Sequence, residues 1–86
     1  MPNVEEVKLH VSAAVQDAET AAQGMLAVSD RLDESLARLR LTTMGSVHPT
    51  AMLAVQRLQE AKAKLAEAFT LARGAVDAAN EYRVTI

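Results

Sequence analysis

The 86-residue chain contains no cysteine and no tryptophan. Without thiols it has no disulfides, no thiolate zinc sites and no cysteine nucleophiles. Aromatic residues are nearly absent, Phe69 and Tyr82 being the two. A block of one charge is also missing, because nine Lys and Arg are scattered among eleven Asp and Glu for a net charge of −2. Nucleic acid and anionic membrane surfaces both require a concentrated positive face, so neither is expected as a partner. No uncharged apolar stretch approaches the ~20 residues that span a bilayer. The start, Met1-Pro2-Asn3-Val4-Glu5-Glu6, holds neither the basic region nor the apolar segment of a cleaved signal peptide. The expectation is a soluble cytoplasmic protein.

What is present points to helix. Half of the residues are apolar, and alanine recurs in runs such as Ala61, Ala63, Ala66 and Ala68. Alanine loses no side-chain entropy in a helix, so this composition favours helix over strand. Steps of three and four from Val4 give Val4, Val7, Val11, Ala14, Ala18, Ala21, Met25, Val28, Leu32, Ser35 and Leu39, an apolar seam of coiled-coil period that Ser35 alone interrupts. Asn3 suits the N-cap, and Glu6 three residues later suits the positive helix start. Arg38 and Arg40 complement the opposite end. These signals agree on a helix from about 3 to about 41.

The pattern fails between about 42 and 49, where Gly45 permits a left-handed C-cap and Pro49 suits a first helical turn, with His48 before it as N-cap or turn residue. From Ala51 a second stripe runs through Ala54, Leu58, Ala61, Leu65, Ala68, Ala72, Ala75, Ala79 and Tyr82, which predicts a helix from about 49 to about 82 and a short tail over 83–86. Val84, Thr85 and Ile86 break the heptad with β-branched types, so the tail is expected to fray or to add as a strand to a partner. The fold class is therefore all-α, a single antiparallel two-helix hairpin over 1–86. Folding about Gly45 sets Leu32 beside Leu58, Met25 beside Leu65, Ala18 beside Ala72 and Val11 beside Ala79. Small residues, among them Ala22 and Gly24, then make a tight waist in the half away from the turn.

Apolar residues also stand next to each seam: Val15, Ala22 and Leu36 on the first helix, and Val55, Phe69 and Val76 on the second. A stripe this wide is what helices show inside a bundle, so a homo-oligomer is expected, with a dimer completing a four-helix bundle favoured. Leu26, Met52, Leu53 and Leu71 fall on the nominally wet side and form a candidate face for a protein partner. Gly24 and Gly74 cost about 1 kcal/mol each relative to Ala within helices. Gly24 flanks the waist, and Gly74 points outward toward a kink or the approach of another chain.

Chemistry-bearing patterns are sparse. Glu6 and His10 share a helical face, but no Glu-x-x-His pair exists to build a di-iron bundle, so no metal or cofactor is expected. Asp30, Asp33 and Glu34 read as a solvated acidic face, because paired catalytic carboxylates need a concave, partly desolvated site. Glu34 with Arg38 and Glu60 with Lys64 are spaced for intrahelical ion pairs. No Gly-x-Ser-x-Gly elbow and no glycine-rich phosphate loop occurs. The expectation is a protein that is not an enzyme.

A hairpin of nearly equal helices with Thr43-Met44-Gly45 at its turn and Tyr82 near its end resembles the Trp-x-Gly family of type VII (ESX) secretion substrates. The Ala-, Val-, Leu- and Arg-rich style is similar to that of actinobacterial proteins. Gly45 matches the family's glycine and Tyr82 the tyrosine of its Tyr-x-x-x-acid export signal. Thr43 stands in place of the tryptophan, and Ile86 in place of the acid. The resemblance implies a secreted or chaperone-paired hairpin exported without a signal peptide. The residues themselves point first to a non-catalytic, self-associating adaptor or scaffold.

Overall fold

A computed structural model of the chain describes residues 3–45 and 48–86, which form two helices, α1 (Val4–Thr43) and α2 (Pro49–Thr85). The fold is the all-α helical hairpin expected, with no strand among the described residues. It measures 63 × 18 × 15 Å with a radius of gyration of 19.3 Å. A compact domain of this length would have a radius of gyration of about 12 Å, so the molecule is a rod. Neither helix is long and apolar enough to cross a membrane.

The ends of the helices follow from local chemistry. The Glu6 backbone N–H donates to Asn3 Oδ1 at 2.8 Å, which satisfies one of the orphan amides at the start of α1. At the far end the hydroxyls of Thr42 and Thr43 both donate to the Leu39 carbonyl, at 2.9 and 2.8 Å. They carry α1 two residues beyond the expected stop at Leu41. Gly45 then takes φ +79°, the left-handed conformation that a residue with a Cβ adopts at a cost. His48 caps α2 by accepting from the Thr50 N–H at Nδ1, 3.2 Å away, and Pro49 occupies the first turn, where its missing N–H costs nothing. Ser46 and Val47 of the expected turn lie outside the described residues.

The tail departs from expectation. Arg83, Val84 and Thr85 continue α2 as helix instead of fraying or forming a strand. The Thr85 hydroxyl and the Ile86 N–H both donate to the Tyr82 carbonyl, at 2.9 and 3.2 Å. Across the hairpin, Arg83 Nη1 donates to Ser12 Oγ at 3.0 Å and ties this last turn to α1. β-Branched residues lower helix propensity by only a few tenths of a kcal/mol, which these contacts offset.

The seam is shifted as well. The inward rows are Val11, Val15, Ala18, Ala22, Met25, Ser29, Leu32, Leu36, Leu39 and Thr43 on α1, and Ala51, Val55, Leu58, Lys62, Leu65, Phe69, Ala72, Val76, Ala79 and Arg83 on α2. Half of each expected stripe is therefore correct, and the other half is displaced by one residue. Size explains the choice. In the neighbouring pairs Ala14/Val15, Ser35/Leu36 and Ala75/Val76 the larger side chain is buried and the smaller exposed. At Ala54/Val55 and Ala68/Phe69 both are half-buried, and Val28/Ser29 is the exception, with Ser29 inward. Each extra buried CH₂ is worth about 0.8 kcal/mol, which outweighs bringing Ser29, Lys62 and Arg83 into the seam. Lys62 and Arg83 lay their apolar stems in the seam while their charged ends leave it, Lys62 to pair with Asp33 and Arg83 to reach Ser12.

Those two ties also correct the register. Ser12 with Arg83 and Asp33 with Lys62 are both symmetric about the link between positions 47 and 48, not about Gly45. Thr43 beside Ala51 and Ser29 beside Leu65, each pair lining one cleft, agree to within a residue. Relative to folding about Gly45, α2 is displaced by roughly 7 Å, more than one helical turn. Ala18 is consequently level with Asp77 instead of Ala72.

Candidate functional site

The residues that the sequence nominated for self-association lie inside the hairpin. Val15, Ala22, Leu36 and Val76 are the buried side chains of the core, and Val55 and Phe69 are half-buried in the same seam. Expected to serve core and dimer face together, within the single hairpin they form its core, covered by the partner helix of the same chain. In the expected waist, Ala22 is buried and Ala18, Ala68 and Ala72 are half-buried, whereas Ala21, Gly24 and Ala75 face outward. Gly24 does not serve close helix packing, since a Cβ at Gly24 or Gly74 would meet nothing within 4 Å.

Chemistry-bearing groups are dispersed. Among the described residues no three of His, Cys, Asp and Glu gather where a metal ion would sit, and Glu6 and His10 are both exposed. The acidic cluster is divided, because Asp33 pairs across the hairpin with Lys62. Glu60 pairs with Arg57 at 3.6 Å instead of with Lys64, which itself reaches Glu67 at 3.6 Å. Both pairs are three residues apart and well exposed, worth a few tenths of a kcal/mol at most. No ion pair joins Glu34 to Arg38 among the described residues. Asn80 Oδ1 is buried without a hydrogen-bond partner.

The two flanks of the seam differ. In an antiparallel pair, the row beside the seam on one helix lies against the matching row of the other. One flank carries Ser12, Glu19, Leu26, Asp33 and Arg40 of α1 with Met52, Gln59, Ala66, Arg73 and Asn80 of α2. It holds the cross-helix ties and two clefts, one of about 320 Å³ lined by Arg40, Thr43, Ala51, Met52 and Val55, the other of about 220 Å³ between Leu26, Ser29, Leu65 and Phe69. The opposite flank carries Val7, Ala14, Ala21, Val28, Ser35 and Thr42 of α1 with Ala54, Ala61, Ala68, Ala75 and Tyr82 of α2. Although 23% of the chain is charged, none of these eleven residues is.

This smooth flank is the part of the two apolar stripes that the hairpin leaves uncovered. Periodicity alone does not separate it from the seam, because neighbouring positions are apolar in both. Of the nominated partner-face residues, Leu26 and Met52 border the clefts of the charged flank, and Leu53 lies on the outer side of α2. Leu71 stands between that side and the charge-free flank, at the edge of a groove with Ala63, Ala66, Glu67 and Thr70. All four are exposed, Leu71 most, at 73%. No protein-family model, curated protein or solved structure matches the chain.

Proposed function

We propose that this chain is a non-catalytic interaction module that self-associates, two hairpins completing a four-helix bundle that offers further helical surface to a protein partner. The observation that carries this reading is the surface left uncovered. The chain has 6546 Å² of accessible surface, whereas a compact monomer of 9.2 kDa has about 4,900 Å². The difference, about 1,600 Å² on one chain, is more than the ~800 Å² that each partner of a standard interface buries. Burial within one chain is correspondingly thin, with Val15, Ala22, Leu36 and Val76 as its fully covered side chains.

The non-catalytic part rests on the dispersal of the titratable groups and on clefts lined mainly by apolar side chains, which do not gather the acid, base and nucleophile that a reaction needs. The same surface argues against a nucleic-acid or membrane partner, because cations and anions alternate along it. Sedimentation equilibrium from nanomolar to micromolar concentration tests the proposal. The expected species is a dimer of about 18 kDa, twice the chain mass, and a monomer at micromolar concentration would overturn it.

A second reading is a type VII-like hairpin, secreted or paired with a chaperone. Helices of 40 and 37 residues joined at a left-handed Gly45 support it. Detection of the chain in culture fluid, bound to a second hairpin, would favour this over a cytoplasmic homodimer.

A further inference from the structure

If the module self-associates, as proposed above, one face must meet the second copy in one direction. The hairpin measures 63 × 18 × 15 Å, so the face that carries the charge-free flank is a strip of at most roughly 63 by 18 Å. Two such strips face to face remove about 2,000 Å² in total, at the boundary between standard and obligate interfaces. We infer that a second copy docks on this flank with its long axis reversed. The turn of one hairpin then lies beside the open end of the other, about a twofold axis at the level of Gly24 and Leu71.

Charge complementarity selects the reversed direction. Gly24 and Leu71 are level with each other in the hairpin's register, and each sits at the midpoint of a row bordering the flank. On α1 this row is His10, Asp17, Gly24, Arg31 and Arg38; on α2 it includes Arg57, Lys64 and Leu71. With the axes reversed about Gly24, Arg31 of one copy stands opposite Asp17 of the other. With both turns at the same end, Arg31 would meet Lys64 and Arg38 would meet Arg57, two like-charge contacts at each rim. The whole molecule agrees with this. The turn half, 25–70, holds six cations and five acids, whereas the open half holds three cations and six acids.

Two features with no use inside one hairpin find one in this arrangement. Gly24, with open space where its Cβ would be, becomes the point where two rims cross, and exposed Leu71 is covered by its own counterpart. Side-chain sizes also interleave. Val28 falls within a residue of Ala21 of the second copy, and Tyr82 within a residue of its Ala61. Thr42 falls within a residue of its Val7.

The absence of cysteine makes the test direct. Val7→Cys and Thr42→Cys are placed in separate full-length chains, which are mixed and oxidised. Within one chain the two positions are ~52 Å apart along α1, so any bond between them joins two copies. The expected product is the mixed disulfide in preference to either self-pair. In parallel, Arg31→Asp should raise the dimer dissociation constant about tenfold, and the double variant D17R/R31D should restore it. Residues 17 and 31 are ~21 Å apart on one helix, so rescue operates between copies.

Ala21→Glu, exposed in the single hairpin, should abolish the dimer while leaving helicity unchanged. Gln56→Glu, exposed on the outer side of α2, should leave it intact. A dimer that forms no mixed disulfide, is not rescued by the charge swap, or tolerates Ala21→Glu would overturn the arrangement while self-association stands. A chain that is monomeric throughout would overturn both.

Discussion

The half of the hairpin near the open end and the half near the turn solve the same packing problem with different side chains. The open half lines its seam with small residues, Ala18, Ala22, Ala72 and Ala79 around Val15 and Val76, and it contains three of the four buried side chains. The turn half uses Met25, Leu32, Leu36, Leu39, Leu58, Leu65 and Phe69, yet both interhelical clefts lie there. Small side chains let two backbones close and exclude water, while large ones hold them apart and leave gaps unless their shapes interlock. In a molecule only two helices thick, bulk in the seam therefore does not guarantee burial.

Adding volume to each half is the strongest way to break this comparison. Ala22 is 1% exposed, so Ala22→Leu has no room and must force the helices apart. The expected loss is about 2 kcal/mol, read as an earlier midpoint in urea denaturation. Ser29→Leu makes a comparable addition beside the cleft between Leu26, Leu65 and Phe69 and should act in the opposite sense. It exchanges a half-buried hydroxyl for apolar contact and is expected to stabilise by about 1.5 kcal/mol. Responses of opposite sign at seam positions two helical turns apart would establish the contrast, and destabilisation by both would show that the cleft is not fillable.

The glycines sharpen the comparison further, at about 1 kcal/mol each. A Cβ added at Gly24 or Gly74 has no neighbour within 4 Å, so alanine at either site should raise the stability of the single hairpin by its helix propensity alone. The two should differ in assembly. Gly74→Ala is expected to leave the dimer unchanged, whereas Gly24→Ala adds a methyl where two rims cross and should weaken it. Thermal melts below and above the dissociation constant separate the two effects.

The helices, their caps and the turn residues are legible in the sequence because each rests on local chemistry: Asn3 and His48 as N-caps, Gly45 as the left-handed stop, Pro49 in a first turn. The position of the seam is not. At Ala14/Val15, Ala21/Ala22, Ala68/Phe69 and Ala75/Val76 both neighbours are apolar, so periodicity admits two seams one residue apart. Periodicity favours the less interrupted one, since the alternative contains Ser29, Lys62 and Arg83. Packing selects the larger side chains and lets Lys62 and Arg83 reach polar partners, a tertiary decision that no local pattern encodes. The register follows the same ties. Once the seam is placed, the leftover row is readable at once as a flank without charge, the feature on which the candidate interface rests.

Each half also has one polar tie across the hairpin, and the smallest expected effects distinguish them. In the turn half Lys62 pairs with Asp33, whose side chains are 33% and 52% exposed. In the open half Arg83 donates to the neutral Ser12 hydroxyl. Asp33→Asn removes a charge from a partly hydrated pair and should cost about 0.5 kcal/mol at low salt. That cost should shrink as added salt brings the screening length toward the separation of the pair. Ser12→Ala should cost a similar amount, but without comparable salt dependence, because a hydroxyl acceptor has no net charge to screen. Urea midpoints for both variants at low salt and at about 1 M salt, where the screening length falls to roughly 3 Å, measure the difference. Salt dependence for Ser12→Ala equal to that for Asp33→Asn would mean that Arg83 acts through the acids of the open half and not through the hydroxyl it touches.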